Sequence, residues 1–175
     1  MYKRQLQALA ERQAKLDLIL ALEPEVRAAL RYRAFPQERG GLADRAFMSR
    51  HLTDLSFLEG EMHADLLRCR LAVLLDAGTT FQIAMAAGVP TVACWDPDAW
   101  PICHEARSAY AALAEAGILH GNAAAAAAHI NRIWDDVEGW WASPRTQAAR
   151  WVWTDLYAGT SATWRRDWTN ALWRL

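Results

Sequence analysis

The sequence predicts an α/β fold, a Rossmann-like parallel sheet flanked by helices, with a Trp-rich helical segment at its C-terminal end. Two apolar stretches indicate the sheet: residues 71–75 are Leu-Ala-Val-Leu-Leu, and a further strand is expected over residues 91–95. A continuous apolar run of this length is typical of a parallel strand covered on both faces. The residues between the two strands suit a loop and a short helix. This order of elements predicts a right-handed crossover.

One domain is expected, in three parts: an N-terminal helix over residues 1–24, an α/β core over 25–121 and C-terminal helices over 122–175. A chain of 175 residues lies near the usual size of one domain. In the first part, leucines repeat at helical spacing with charged residues between them. This pattern predicts an amphipathic helix that ends at Pro24.

The first half of the core is expected to contain two short strands. The pattern from Arg27 to Phe35 is strand-like and stops at Pro36, and the polar residues Gln37 to Gly41 then indicate a loop. A second strand is expected around Leu52 to Phe57.

The centre of the core is expected to form a loop and a helix between its two apolar strands. Asp76 to Thr80 interrupts the apolar pattern, and Phe81 to Ala87 suits a helix. Gly88 is expected to end that helix, because glycine favours the left-handed conformation that follows many helices. Pro90 prevents the helix from continuing.

The remainder of the chain is expected to be mainly helical. A helix on which Ile102, Tyr110 and Leu113 share a face closes at Gly117, and Asn122 caps the next helix, which includes the alanine run 123–128. The apolar faces of this and two later helical segments are formed by Ile130, Ile133, Trp134, Val137 and Trp141; by Ala149, Trp153 and Tyr157; and by Trp164, Trp168 and Leu172.

The composition is that of a globular protein, with 53% apolar residues, 22% charged residues and a formal net charge of -1. This balance provides no global field that would recruit nucleic acid or an anionic membrane, although a local basic patch remains compatible with it, and we expect no nucleic acid as a partner. No leader pattern and no run of about twenty apolar residues is present, so we expect neither a signal peptide nor a membrane span. The three cysteines form no CxxC pair. Their odd number favours a reducing, cytoplasmic location.

The turn from Asp76 to Thr80 is the strongest candidate for a binding site, because it joins the carboxyl end of a buried strand to a helix N-terminus. Ligands of open α/β sheets bind at such places, where exposed amides and the helix dipole attract phosphate. Gly78 allows close approach of the backbone, and Thr79 and Thr80 add hydroxyl donors. We therefore expect a phosphate or nucleotide-sugar site here. The alternative is that one of the threonines is only a helix cap.

Two neighbouring segments supply further candidates. Trp95 and Asp96 follow the next strand on the same rim, where the ring can stack on a base or sugar and the carboxylate can accept hydrogen bonds from hydroxyls. The alternative is an ordinary turn. Arg33, with Arg31, can present a guanidinium to phosphate. The alternative is a solvated or paired arginine.

A third candidate is a charged cluster at a helix start. A helix start beside the rim can aim His104 and Glu105, with Arg107, at the pocket, whereas a solvated helix face is the favoured interpretation. His129 is expected to be packed or exposed rather than catalytic. Because no His/Cys/Asp set has metal-ligand spacing, we expect no metal site. The absence of GxGxxG, GxxxxGK[ST] and GxSxG motifs argues against dinucleotide cofactors, P-loop enzymes and serine hydrolases.

Tryptophan is concentrated near the C-terminal end, where seven of the ten tryptophans lie between Trp140 and Trp173. Their helical spacing predicts that they pack the last helices onto the sheet. The alternatives are a platform for carbohydrate and a contact with a neighbouring domain.

Several short motifs lie between about Arg31 and Tyr157. They are Tyr32-Arg33-Ala34-Phe35-Pro36, Gly78-Thr79-Thr80-Phe81, Gly88-Val89-Pro90-Thr91, Trp95-Asp96-Pro97, Ala116-Gly117-Ile118-Leu119-His120, Ile133-Trp134-Asp135-Asp136-Val137 and Trp140-Trp141. Together they resemble the transferases of bacterial surface-polysaccharide and O-antigen gene clusters, which are related to two-domain GT-B glycosyltransferases. The last two motifs are the most specific.

The resemblance implies a transferase that moves a sugar or related group from a nucleotide-linked donor onto a surface glycan. It also implies that the Thr79-Thr80 turn and its rim neighbours bind the donor, which is a substrate rather than a cofactor. The chain departs from the family pattern at Gln82, where glutamate is usual. This change removes a charge that could hold ribose or orient a partner.

Proteins of this family are longer, with another Rossmann-like domain ahead of the matching part. The resemblance therefore implies that the chain is the C-terminal, donor-binding half, incomplete alone, and that the acceptor site and often the base belong to a missing domain or a separate partner protein. We identify no catalytic base in the sequence. Apolar surface on the cleft-facing side is expected to promote self-association. The competing hypothesis is a non-catalytic interaction module that docks a partner through its Trp-rich helices.

Overall fold

The computed structural model describes residues 2–34, 43–96 and 100–174, which form a mixed α/β structure. Its elements, in chain order, are α1 (Tyr2–Ala21), α2 (Pro24–Ala29), β1 (Arg31–Tyr32), α3 (Asp44–His51), β2 (Ser56–Phe57), α4 (Met62–Arg68), β3 (Ala72–Leu74), α5 (Thr79–Ala87), β4 (Thr91–Cys94), α6 (Arg107–Glu115), β5 (Leu119–His120), α7 (Ala123–Ile133), α8 (Val137–Ala142), α9 (Pro144–Tyr157) and α10 (Trp164–Leu172). Single 3₁₀ turns at His104–Ala106 and Trp134–Asp136 lead into α6 and α8.

The strands form two small parallel sheets. β1 pairs with β2, while β3, β4 and β5 form a sheet in that order. Ala72 lies opposite Thr91, and Ala93 lies opposite Leu119. The parallel strands predicted at residues 71–75 and 91–95 are therefore confirmed, as is the helix between them. Gly88 ends that helix with a φ of 75°.

The structure corrects the prediction of a strand from Arg27 to Phe35. Pro24 is the first residue of the short helix α2. Proline is tolerated there because the N–H that it lacks would have no hydrogen-bond partner within the first turn of a helix. The strand that follows is limited to Arg31–Tyr32. Phe35, Pro36 and the predicted loop at residues 37–41 lie outside the described residues.

Two short helices, α3 and α4, are absent from the sequence prediction. They have eight and seven residues, too few to show a clear helical period. α4 begins where the Glu61 carboxylate accepts hydrogen bonds from the amides of His63 (3.1 Å) and Ala64 (2.7 Å). The strand expected around Leu52 to Phe57 is reduced to β2, since its first residues continue from α3 instead.

The core of the C-terminal half packs α5, α6 and α9 around aromatic side chains. Trp153 is fully buried, and its ring lies 4.9 Å from that of Phe81 and 6.0 Å from that of Tyr110, with edge-to-face geometry. These contacts fix α5, whose first residues belong to the candidate binding turn.

The buried guanidinium of Arg150 on α9 holds the other end of α5. It donates to the carbonyl oxygens of Met85 (2.8 Å) and Ala86 (3.2 Å) and to the side chain of Gln147 (3.2 Å). A cation at the C-terminus of a helix is stabilised by the helix dipole and satisfies carbonyls that have no partner within the helix.

The C-terminal helices follow the prediction in outline. Asn122 caps α7 by accepting from the Ala125 amide at 2.8 Å, and Gly117 follows α6 with a φ of 78°. The face expected to run without a break from Ile130 to Trp141 is interrupted by a 3₁₀ turn. α8 then starts afresh at Asp136, whose carboxylate accepts from the Gly139 amide at 2.9 Å.

The tryptophan stripe is only partly core. Trp141 and Trp153 are buried, and Trp134 and Trp140 are half-buried. The expectation that the stripe packs the last helices is wrong for α10, because Trp164 and Trp168 are exposed. Within the described ranges, no helix combines the length and the apolar character needed to cross a membrane.

Candidate functional site

The candidate site lies at the carboxyl edge of the β3–β4–β5 sheet. Because the strands are parallel and adjacent, the segments that follow them emerge along the same rim. These segments are the turn from Asp76 to Thr80, the pair Trp95 and Asp96, and the pair His120 and Gly121. The sequence predicted the first two segments and assigned no function to the third.

The turn after β3 is closed by a hydrogen bond from the Gly78 amide to the Asp76 carboxylate, at 2.8 Å. A Cβ at position 78 would lie only 2.6 Å from Asp76 Oδ1, so a larger residue here would displace the Asp76 carboxylate from the turn. Gly78 itself occupies the position before α5, and no described side chain caps that helix. The alternative interpretation, in which Thr79 or Thr80 is the cap, is therefore wrong.

The first residues of α5 retain hydrogen-bond donors. Among the described residues, the amides of Thr79 and Thr80 have no acceptor. Thr79 is exposed, and the Thr80 hydroxyl contacts the sulfur of Met62 at 3.8 Å. Gln82 is also exposed. Since Asp76 already occupies the Gly78 amide, an anion at this turn would use the two threonine amides and hydroxyls, aided by the helix dipole.

Trp95 contributes to the site differently from the stacking platform expected. It is only 5% exposed, because its ring packs edge-on against Phe81 (5.5 Å) and Tyr110 (6.2 Å). Little of the indole is left for a base or sugar to stack on. Asp96 is exposed at the rim. Pro97 and Asp98 lie outside the described residues.

A cleft of about 260 Å³ opens between α6 and the carboxyl ends of β4 and β5. Its walls are mainly apolar and include Trp95, Tyr110 and Leu119, while Arg107 and His120 supply the polar groups. His104 and Glu105, in the turn before α6, are exposed and do not line the cleft.

His120 is the rim residue that the sequence reasoning missed as a functional candidate. Its Nε2 donates to the carbonyl of Gly117 at 2.9 Å, and burial lowers the pKa of the ring, so His120 is neutral near pH 7. The sequence signal that could have identified His120 is its position at the end of a short apolar run, Ile118-Leu119, which follows a glycine.

His129 lies behind His120, with the ring centroids 5.0 Å apart. Burial lowers the pKa of His129 to about 4, with smaller contributions from His120, when that ring is protonated, and from the positive charge of Arg132. Its Nε2 has no hydrogen-bond partner among the described residues. His129 is therefore a packed residue, which is one of the two outcomes expected for it from the sequence.

The early arginines are engaged elsewhere. Arg33 forms an ion pair with Asp65 of α4, which confirms the alternative of a paired arginine. Arg31 donates to the backbone carbonyl of Leu30 at 2.8 Å. Helix α4, which carries Asp65, also carries Met62, whose sulfur contacts the Thr80 hydroxyl of the turn.

Metal ligation finds no support in the described residues, which contain no cluster of three or more His, Cys, Asp or Glu side chains able to hold an ion. The three cysteines are free thiols. Burial raises the pKa of the Cys94 thiol to about 11, so this cysteine is protonated and unreactive near neutral pH.

Comparison with known proteins places the chain in a family. Neither a curated protein nor a solved structure matches it. The model of one family, described as LIC12162 family transferase, matches residues 1–172, which is nearly the whole chain. The chain therefore belongs to the LIC12162 family of transferases.

Proposed function

We propose that the chain binds the nucleotide-linked donor of a glycosyltransferase-like reaction in surface-polysaccharide synthesis. The observation that carries the proposal is the pair of amides at Thr79 and Thr80, which have no acceptor among the described residues and lie at the start of a helix on the carboxyl edge of a parallel sheet. Such a position favours phosphate oxygens. Membership in a transferase family supports an activated donor as the ligand.

Each part of the rim has a role in this proposal. The amides and hydroxyls of Thr79 and Thr80 hold the diphosphate. Asp76 and Asp96 accept hydrogen bonds from sugar or ribose hydroxyls, as exposed carboxylates can. The cleft beside Tyr110 receives the less polar part of the donor.

The proposal also assigns the chain a Rossmann-like, GT-B-type donor half. In that arrangement the acceptor and the catalytic base come from a second domain, whether it is part of a longer polypeptide or a separate protein. The reaction is expected on the cytoplasmic side of the membrane, where nucleotide-linked donors and reduced thiols both occur.

Calorimetric titration with a panel of nucleoside diphosphates and nucleotide sugars tests the proposal. We expect saturable binding to at least one member, and we expect Thr79→Ala/Thr80→Ala to weaken it by about tenfold or more. The matched control is Thr53→Ala/Thr160→Ala, which removes two exposed threonines away from the rim. The absence of binding to any panel member, or equal weakening by the control, would contradict donor binding at this turn.

A second candidate function is a non-catalytic module that docks a partner through its Trp-rich helices. One observation favours it: α10 is exposed along its whole length. Partner capture that survives Thr79→Ala/Thr80→Ala, in a chain that binds no nucleotide, would support this candidate over the first.

A further inference from the structure

The last helix, α10, has an apolar face that the rest of the described chain leaves open. Trp164, Trp168 and Leu172 are four residues apart and therefore share one face. Their exposed fractions are 55%, 64% and 60%. None of the α10 residues, all of which the structure describes, is buried. No other described element therefore covers this face of the helix.

Positive charge accompanies this face. Arg165 lies at its margin, with its guanidinium carbon 5.2 Å from the centre of the Trp164 ring. Arg166 and Arg174 follow in the same segment, whose net charge from residue 164 to 174 is +2, because it holds three arginines and one aspartate. The segment is thus cationic although the whole chain is not.

The single acid in the segment is used at the start of the helix. The Asp167 carboxylate accepts hydrogen bonds from the hydroxyls of Ser161 (2.8 Å) and Thr163 (2.9 Å) and lies 3.8 Å from the side chain of Arg166. Arg165 and Arg174 are left to face solvent beside the apolar residues.

We propose that α10 binds the surface of an anionic lipid bilayer. A helix with Trp and Leu on one face and arginine beside it is the form that lies in the headgroup region, where tryptophan is also enriched. The charge is complementary to anionic headgroups, and arginine can extend to them while the aromatic face enters the bilayer boundary. The helix is too short to span a bilayer, so it would lie along the surface.

A second copy of the chain fits this surface less well. Stable protein interfaces use about 20–30 residues on each side, whereas the open face of α10 offers three large apolar side chains. A symmetric pair of α10 helices would also bring like-charged arginines together. None of the proposed donor-binding residues lies on α10.

Vesicle flotation tests the proposal directly. The purified chain is mixed with vesicles of phosphatidylcholine alone or of phosphatidylcholine with phosphatidylglycerol. We expect binding only to the vesicles that contain phosphatidylglycerol, and we expect added salt to weaken it. Trp164→Ser/Trp168→Ser should reduce binding by on the order of tenfold, and Arg165→Gln/Arg174→Gln by about fivefold for each charge removed.

The matched control is Trp151→Ser, since Trp151 is equally exposed at 60% but lies on α9. Circular dichroism should show all variants folded, because every changed residue is exposed. Failure of the parent chain to float with anionic vesicles would overturn the proposal. Equal binding to neutral vesicles, or an equal loss of binding in Trp151→Ser, would also overturn it. The same holds if the chain self-associates instead of binding vesicles and the α10 variants abolish that self-association.

Discussion

Replacing Thr79 with proline separates the proposed phosphate contact from the fold. Position 79 is the first residue of α5, where proline is tolerated because the N–H is not used within the helix. The preceding Gly78 has φ -76° and ψ -177°, an extended conformation that is compatible with a following proline. The substitution therefore removes one amide donor without disturbing the helix.

The expected magnitude follows from the loss of one hydrogen bond to a charged ligand. Such a bond contributes about 1.5–3 kcal/mol, so the nucleotide affinity of Thr79→Pro should be about 10- to 150-fold below that of Thr79→Ala, which also lacks the hydroxyl. Folding stability should be unchanged or higher by up to about 1 kcal/mol, because proline restricts the unfolded chain.

Calorimetry and thermal unfolding of Thr79→Pro, run beside Thr79→Ala, measure the two effects. The alanine variant loses the hydroxyl but keeps the amide, so the difference between the variants reports the amide alone. Equal affinity in the two variants would refute the assigned role of the amide. A large loss of stability in Thr79→Pro would refute the assignment of residue 79 as the first residue of the helix.

Three further predictions concern the structure around the rim. Arg150→Met should lower the free energy of unfolding by about 2–4 kcal/mol, because the last carbonyl groups of α5 lose a charged hydrogen-bond donor. Urea unfolding measures this change, and a decrease of less than about 1 kcal/mol would contradict the prediction. Gly117→Ala should cost about 2 kcal/mol or more in the same assay, because φ is 78° and the new Cβ would lie 2.5 Å from the His129 ring. Gly121→Ala, which meets nothing within 4 Å, is the control and should be nearly neutral. His129 has a pKa of about 4 in the folded chain, below its ordinary 6.5, so between these pH values the unfolded chain binds more protons than the folded chain. The free energy of unfolding is therefore highest, as far as His129 is concerned, above pH 6.5 and decreases as the pH falls towards 4. Unfolding measured across this range should be less pH-dependent in His129→Leu, and an unchanged pH dependence would contradict a buried neutral ring.

The central sheet could be predicted because several local features of its sequence favour the same secondary structure. Residues 71–75 and 92–95 are apolar without alternation, and the helix between the two strands ends at a glycine followed closely by Pro90. Local chemistry likewise predicts the cap at Asn122. In these places propensity, pattern and turn residues all favour the same structure.

Elsewhere the outcome depends on tertiary contacts that a single sequence does not display. α3 and α4 are too short for a periodic signal, and the strand-like residues after Arg27 yield to the helix that Pro24 begins. Trp95 was expected to face a ligand, but Phe81 and Tyr110 enclose it.

The tryptophans show the same limit, since identical helical spacing led to burial in α9 and exposure in α10. Trp153 has aromatic partners on α5 and α6, whereas Trp164 and Trp168 are exposed. Periodicity identifies which residues share a face of a helix, but not whether another element covers that face.

Amide chemical-shift mapping with the best-binding nucleotide is the most direct test of the donor site. We predict that the Thr79 and Thr80 amides shift saturably and more than any others, with smaller changes near Asp96 and Tyr110. Saturable shifts confined to α10, or to the cleft around His120 with none at Thr79 and Thr80, would contradict the proposal that this turn binds the donor.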